Sequence, residues 1–134
     1  MWSNEFLIGN AIIDKQHKKL FAVGSDLLKN YWNKNEVDKE TLTTTLGFFK
    51  DYTVNHFADE ERLQVALKYK GYEEHKRQHE NLINQVLLRE KALIESSFAK
   101  KELDSFISIL ITWLTHHVAV EDKKIAKKKF LWFF

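Results

Sequence analysis

Apolar positions recur in steps of three and four along four separate stretches of this chain. The first stripe is Ile13, His17, Leu20, Gly24, Leu27 and Tyr31. The second is Leu42, Leu46, Phe49, Thr53, His56, Glu60, Leu63 and Leu67. The third runs Tyr72, His75, His79, Leu82 and Val86. The fourth runs Leu103, Phe106, Leu110, Trp113, His117 and Val120. Steps of this kind mark one face of an α-helix. The chain has no proline and four glycines, so long helices are permitted nearly everywhere. Asp14 is placed to cap the first helix and Asn33-Lys34-Asn35 to end it. Lys70-Gly71 separates the second helix from the third, and Ser96-Ser97 the third from the fourth. Four helices with short loops predict an all-α fold, an antiparallel up-down four-helix bundle. The 134 residues make one domain. Its N-terminal arm runs to about residue 13 and its C-terminal tail starts at about residue 123.

Composition narrows the class. Hydrophobic content of 44% with 30% charged residues is ordinary for a soluble globular protein, and the chain is long enough to bury a real core. A formal net charge of +2 gives no nucleic-acid footprint. Without cysteine there are neither disulfides nor thiolate ligands. The start, Met1-Trp2-Ser3-Asn4-Glu5, lacks the basic opening and apolar run of a signal peptide. The apolar run Phe106 to Leu114 is too short to span a bilayer and is broken by Ser108 and Thr112. A cytoplasmic protein is expected.

The stripes carry an anomaly. Five of the six histidines lie on them, with Glu60 among them and Asp122 just beyond. In an up-down bundle the start of helix one, the end of helix two, the start of helix three and the end of helix four share one end. His17, His56, Glu60, His75, His79, His117 and Asp122 occupy those four places. Buried histidine and carboxylate are costly unless paired or metal-bound. His56-x-x-x-Glu60 and His75-x-x-x-His79 put side chains one helical turn apart. Each pair alone is weak, because polar i,i+4 pairs are common on solvated faces. Seven donors converging on one level read as a polynuclear metal site. Seven are too many for one six-coordinate ion with an open position, so two ions bridged by carboxylates fit better. Nitrogen and oxygen donors point to iron, manganese or zinc. His116, the sixth histidine, falls off the stripe, about 100° around the helix from His117. It is expected at the surface or just outside the ring of metal donors. Glu61, beside Glu60, is expected to be solvated.

These stretches resemble the hemerythrins, in particular the bacterial single-domain type. The resemblance lies in Trp2 and Gly9 ahead of Ile13-Asp14-Lys15-Gln16-His17, then Tyr52-Thr53-Val54-Asn55-His56-Phe57-Ala58-Asp59-Glu60-Glu61. It continues through Tyr72-Glu73-Glu74-His75-Lys76-Arg77-Gln78-His79 and Trp113-Leu114-Thr115-His116-His117-Val118-Ala119-Val120-Glu121-Asp122. It implies two iron ions with a bridging oxo or hydroxo group. His75, His79 and His117 would hold the coordinatively full iron, and His17 and His56 the one that keeps an open position. Glu60 and Asp122 would bridge. It also implies reversible O2 binding at the open iron, with the bridging group's proton supplied locally. Phe57, Trp113 and Leu114 match the family's pocket-lining positions, and an apolar pocket limits irreversible oxidation.

Two positions depart from that pattern. Bacterial members usually carry methionine four residues after the bridging glutamate, and this chain has Gln64. The i,i+4 step from Glu60 places Gln64 on the metal face, in the O2 pocket, where an amide can admit water or hydrogen-bond a ligand. The bland alternative is a rim position that tolerates polarity. Ile125 replaces a common aromatic residue.

The expected function is O2 storage, delivery or buffering by a non-enzymatic protein. The alternatives are a di-iron enzyme acting on peroxide or nitric oxide, or an oxygen- or iron-sensing module. O2 is the expected partner, without nucleic acid or membrane, in a monomer or weak homo-oligomer. The tail Lys127-Lys128-Lys129-Phe130-Leu131-Trp132-Phe133-Phe134 is expected to cap the bundle against Trp2 and Phe6, ahead of self-association or a membrane contact.

Overall fold

The computed structural model describes residues 2–34 and 38–126. Four helices account for most of them: α1 (Ala11–Lys34), α2 (Lys39–Ala66), α3 (Tyr72–Glu95) and α4 (Lys100–His116). There is no strand among the described residues. Each helix packs on its neighbours in sequence, and α1 closes the ring against α4. Contacts fix the directions. The start of α1 meets the end of α2 at His17 and His56, and the end of α2 meets the start of α3 at Glu60 and His75. The start of α3 then meets the end of α4 at His75 and His117. This is the antiparallel up-down bundle that the stripes predict.

The core is built from those stripes. Leu20, Leu27, Leu42, Leu46, Phe49, Leu103, Phe106, Leu110 and Leu114 are buried in one cluster. At roughly 1.5–3 kcal/mol per buried aliphatic or aromatic side chain, this burial drives the helices together. The N-terminal arm also contributes. A 3-10 turn at Asn4–Phe6 brings Trp2 and Phe6 onto Phe21, with ring centroids 5.5 and 5.0 Å away.

Three local expectations need correction. Asp14 is not the cap of α1. Asn10 Oδ1 accepts the backbone N–H groups of Ile12 and Ile13, both at 3.1 Å, so the cap lies four residues earlier and the helix starts at Ala11. The Asp14 carboxylate instead ties down the arm by accepting from Ile8 N at 2.8 Å and Gly9 N at 3.1 Å. Helix four also continues past the expected start of the tail at residue 123. It passes through a π-helical stretch, His117–Asp122, and remains helical to Ala126. The resulting helix, Lys100–Ala126, is longer than the apolar run seen in sequence. By length and composition it could cross a membrane, with a mean hydropathy of 1.3 in its most apolar window. Here it buries Leu103, Phe106, Ile107, Leu110 and Leu114 against the other helices. Third, Val120 is not core but 42% exposed, while Val118 is fully buried. The π-helical stretch has wider turns than an α-helix, so the buried face shifts off the 3.6-residue register. The aromatic tail 127–134 and the end of Asn33-Lys34-Asn35 lie outside the described residues.

Candidate metal centre

The seven expected donors are all buried and meet at one end of the bundle: His17, His56, Glu60, His75, His79, His117 and Asp122. They divide into two overlapping groups. Glu60, His75, His79, His117 and Asp122 offer donor atoms within 4.8 Å of one another, and so do His17, His56, Glu60 and Asp122. The two carboxylates belong to both groups.

The carboxylate oxygens divide in the same way. Glu60 Oε1 lies 2.8 Å from His75 Nε2 and 3.2 Å from His79 Nε2. Glu60 Oε2 lies 3.3 Å from His17 Nε2 and 3.4 Å from His56 Nε2. Asp122 Oδ1 lies 2.9 Å from His75 Nε2 and 3.1 Å from His117 Nε2, and Asp122 Oδ2 lies 3.0 Å from His17 Nε2. Each carboxylate therefore presents one oxygen to each histidine group. Within the groups, His17 Nε2 is 3.0 Å from His56 Nε2, and His117 Nε2 is 3.1 Å from His75 Nε2. Metal–imidazole bonds of roughly 2.1 Å meeting at right angles put two nitrogens about 3.0 Å apart.

The donor chemistry fits cations. Glu60 Oε2, both Asp122 oxygens and His79 Nε2 are buried without a hydrogen-bond partner among the described residues. A buried charged acceptor left unpaired costs more than the ~1–3 kcal/mol of a neutral one. Cations between the two groups would complete these atoms.

Outer contacts aim the rings. His56 Nδ1 donates to Gln16 Oε1 at 2.7 Å, and Gln16 Nε2 donates to Asp59 Oδ2 at 2.7 Å. His79 Nδ1 donates to Glu61 Oε2 at 3.0 Å. These partners fix the protons on Nδ1 and leave both Nε2 atoms facing the centre. Sequence reasoning missed all three. Glu61 is only 20% exposed at its side chain and is not the solvated residue expected. The signal was available, since Gln16, Asp59 and Glu61 each adjoin an assigned donor in sequence.

Aromatic rings cover the three-histidine side. Phe57 stacks on His79 with centroids 3.7 Å apart and planes 2° off parallel. Trp113 stacks on His117 at 5.1 Å and meets Phe57 edge-on at 5.4 Å. Leu114 is fully buried. It lines an apolar cavity of about 280 Å³ with Leu20, Phe49, Val54, Leu110 and Trp113. Gln64 is 0% exposed, which overturns the rim alternative. His116 is exposed, as expected.

The Hemerythrin HHE cation binding domain family matches residues 8–128, which contain every donor described above. The chain belongs to the hemerythrin family. Among relatives, it is 29% identical to a bacteriohemerythrin of Clostridium acetobutylicum over 92% of this chain and 96% of that protein. It is 30% identical to hemerythrin subunit 1 of Golfingia vulgaris, over 96% of this chain and 91% of that subunit. A hemerythrin-like protein of Naegleria gruberi is 28% identical over 92% of this chain and 87% of that protein.

The electrostatics of this hemerythrin domain are those of a site built for positive charge. Burial opposes the charged form of His17, but the Asp122 and Glu60 carboxylates outweigh it and push its pKa up to about 10. The same contest raises His75 to about 9. Burial wins at His56, whose pKa is lowered. Burial would raise Glu60 and Asp122, yet the surrounding histidines hold both carboxyls well below the usual range. Without metal, protons on His17 and His75 take the place of cations.

Proposed function

We propose that this hemerythrin-family chain binds O2 reversibly at two iron ions. His75, His79 and His117 hold one ion. His17 and His56 would hold the other, which would have fewer protein ligands. Glu60 and Asp122 bridge them. The observation that carries this reading is the split of both carboxylates, one oxygen toward each histidine group. Three donors on one side and two on the other make the sites unequal, as a carrier with one binding position requires.

Iron, when bound, would supply the redox chemistry for O2 uptake. The chain supplies the setting. Gln16 and Glu61 fix the rings of His56 and His79. Phe57 and Trp113 exclude water from the three-histidine side, and Leu114 and its apolar cavity give a small neutral gas a place to enter. The reading makes the protein a non-enzymatic store, deliverer or buffer of oxygen in the cytoplasm, monomeric or weakly self-associated. The test is anaerobic reduction followed by O2 addition, watched by visible absorption. A colour that appears with O2 and fades under vacuum supports the reading. An irreversible change or none overturns it.

A second reading is favoured by Gln64, a fully buried polar side chain one turn from Glu60. A wetter site suits an enzyme acting on peroxide or nitric oxide. Multiple turnovers of either substrate by the iron-loaded protein would favour that reading over oxygen carriage.

A further inference from the structure

Gln64 has no exposure, and neither Oε1 nor Nε2 has a hydrogen-bond partner among the described residues. An unpaired buried amide group costs about 1–3 kcal/mol, so native proteins rarely keep one without a partner molecule. Its position is well defined. Gln64 follows Glu60 by one turn of α2, and its backbone carbonyl accepts Tyr69 N at 2.9 Å. It therefore lies between the metal layer and the α2–α3 loop. His75 flanks the same loop from α3, where its backbone N donates to Gly71 O at 2.9 Å.

His75 has a matching deficit. Its Nε2 faces Glu60 and Asp122, while its Nδ1 is buried without a partner among the described residues. A ring that offers Nε2 to a metal carries its proton on Nδ1, and that proton needs an acceptor. His56 and His79 use Gln16 and Glu61 for this purpose. Among the described residues none does the same for His75 or for His17.

We propose that Gln64 holds one internal water molecule that accepts from His75 Nδ1–H and donates to the amide oxygen. A buried water generally makes about three hydrogen bonds, and this end of the bundle offers the polar atoms for them. Gln64 is then a positioning residue, doing through water what Glu61 does directly. The inference rests on the di-iron reading only for the placement of the His75 proton.

The test has two arms. A crystal structure of the metal-free protein should show an ordered water within hydrogen-bond distance of both the Gln64 amide and His75 Nδ1, and Gln64→Leu should lack it. A dry site, or an amide bonded directly to another part of the chain, overturns the proposal. Iron release to a chelator should be about 10–100-fold faster from Gln64→Leu, the usual effect of losing an outer partner. Gln64→Glu, which keeps an oxygen at that place, should restore slow release. Equal release rates from the original protein and Gln64→Leu also overturn it. If the protein fails to take up two irons at all, the di-iron reading falls, and the metal-free crystal structure still decides the water site. Should Gln64→Leu not fold, Gln64→Met serves in both arms.

Discussion

His117 and Asp122 stand five residues apart, yet His117 Nε2 lies 3.1 Å from Asp122 Oδ1. On an α-helix a five-residue step turns about 500°, leaving the two side chains about 140° apart. The π-helical stretch His117–Asp122 reduces that offset, because its wider turn comes closer to the spacing of the pair. Val118 within the stretch is buried, while His116, the last α-helical residue before it, is exposed. The two adjacent histidines should therefore behave differently. His117→Ala is expected to lose iron and the O2-dependent colour, and His116→Ala to keep both. Iron analysis and the visible spectrum of each variant decide the matter. Loss in His116→Ala with retention in His117→Ala would mean that the helix register is off by one.

Each carboxylate faces both histidine groups, so removing either should weaken both positions together. Glu60→Ala and Asp122→Ala are expected to bind fewer than two irons per chain. The original protein is expected to bind about two, given its seven nitrogen and oxygen donors. Elemental analysis of the three proteins is the measurement. Full occupancy in both variants would remove the bridging assignment.

The bundle was legible from the steps of three and four, and the site from short loops that bring four helix ends together. What sequence did not reveal has local causes. An α-helical period continued past His117 places Val120 inside, whereas it is 42% exposed. Only the His117-x-x-x-x-Asp122 spacing hinted at the wider turn. Asp14 resembles a cap because it sits beside Ile13 at the head of the first stripe, but its carboxylate is used by Ile8 N and Gly9 N. Gln16, Asp59 and Glu61 escaped notice because a polar residue beside a ligand looks the same whether it faces solvent or a ring nitrogen.

Those outer partners make a graded prediction. Glu61→Ala removes the acceptor for His79 Nδ1, and Gln16→Ala removes the one for His56 Nδ1. Each should speed iron loss to a chelator by about 10–100-fold without changing the number of irons initially bound. Glu61→Gln keeps an oxygen acceptor and should fall between. Release as slow as in the original protein for both alanine variants would show that the rings are held by packing alone.

The metal-free protein should lose stability as pH rises. The folded pKa values of His17 and His75, about 10 and 9, lie above the unfolded value near 6.5. Their contribution is fully present below about pH 6.5 and lost as pH rises through 9 to 10. Glu60 and Asp122 are shifted down, so their contribution is present above about pH 4 and lost in acid. His56, also shifted down, works against the other histidines below about pH 6.5. Thermal melting of metal-free protein should show a Tm maximum in mildly acidic solution and a decline toward pH 10. Metal affinity should move the other way, because binding displaces the protons on His17 and His75. A metal-free Tm that climbs between pH 6.5 and 10 would contradict this account.

The last prediction weighs two opposed effects at Gly24. A Cβ there would stand 3.1 Å from Leu114 Cδ1 and 3.9 Å from Phe49 Cζ. Alanine gains about 1 kcal/mol over glycine within a helix. Overpacking a filled core costs about 1–3 kcal/mol. Leu114 decides the balance because it borders the apolar cavity and can yield a few tenths of an ångström into it. Gly24→Ala should therefore change stability by no more than about 1 kcal/mol in urea denaturation, within the range set by those two terms. Gly24→Val adds bulk and β-branching and should be clearly destabilising. The O2 association rate should fall in Gly24→Ala if Leu114 moves into the entry route. A loss of more than about 2 kcal/mol in Gly24→Ala would mean that overpacking dominates and Leu114 is clamped, leaving the cavity no role in accommodating its movement.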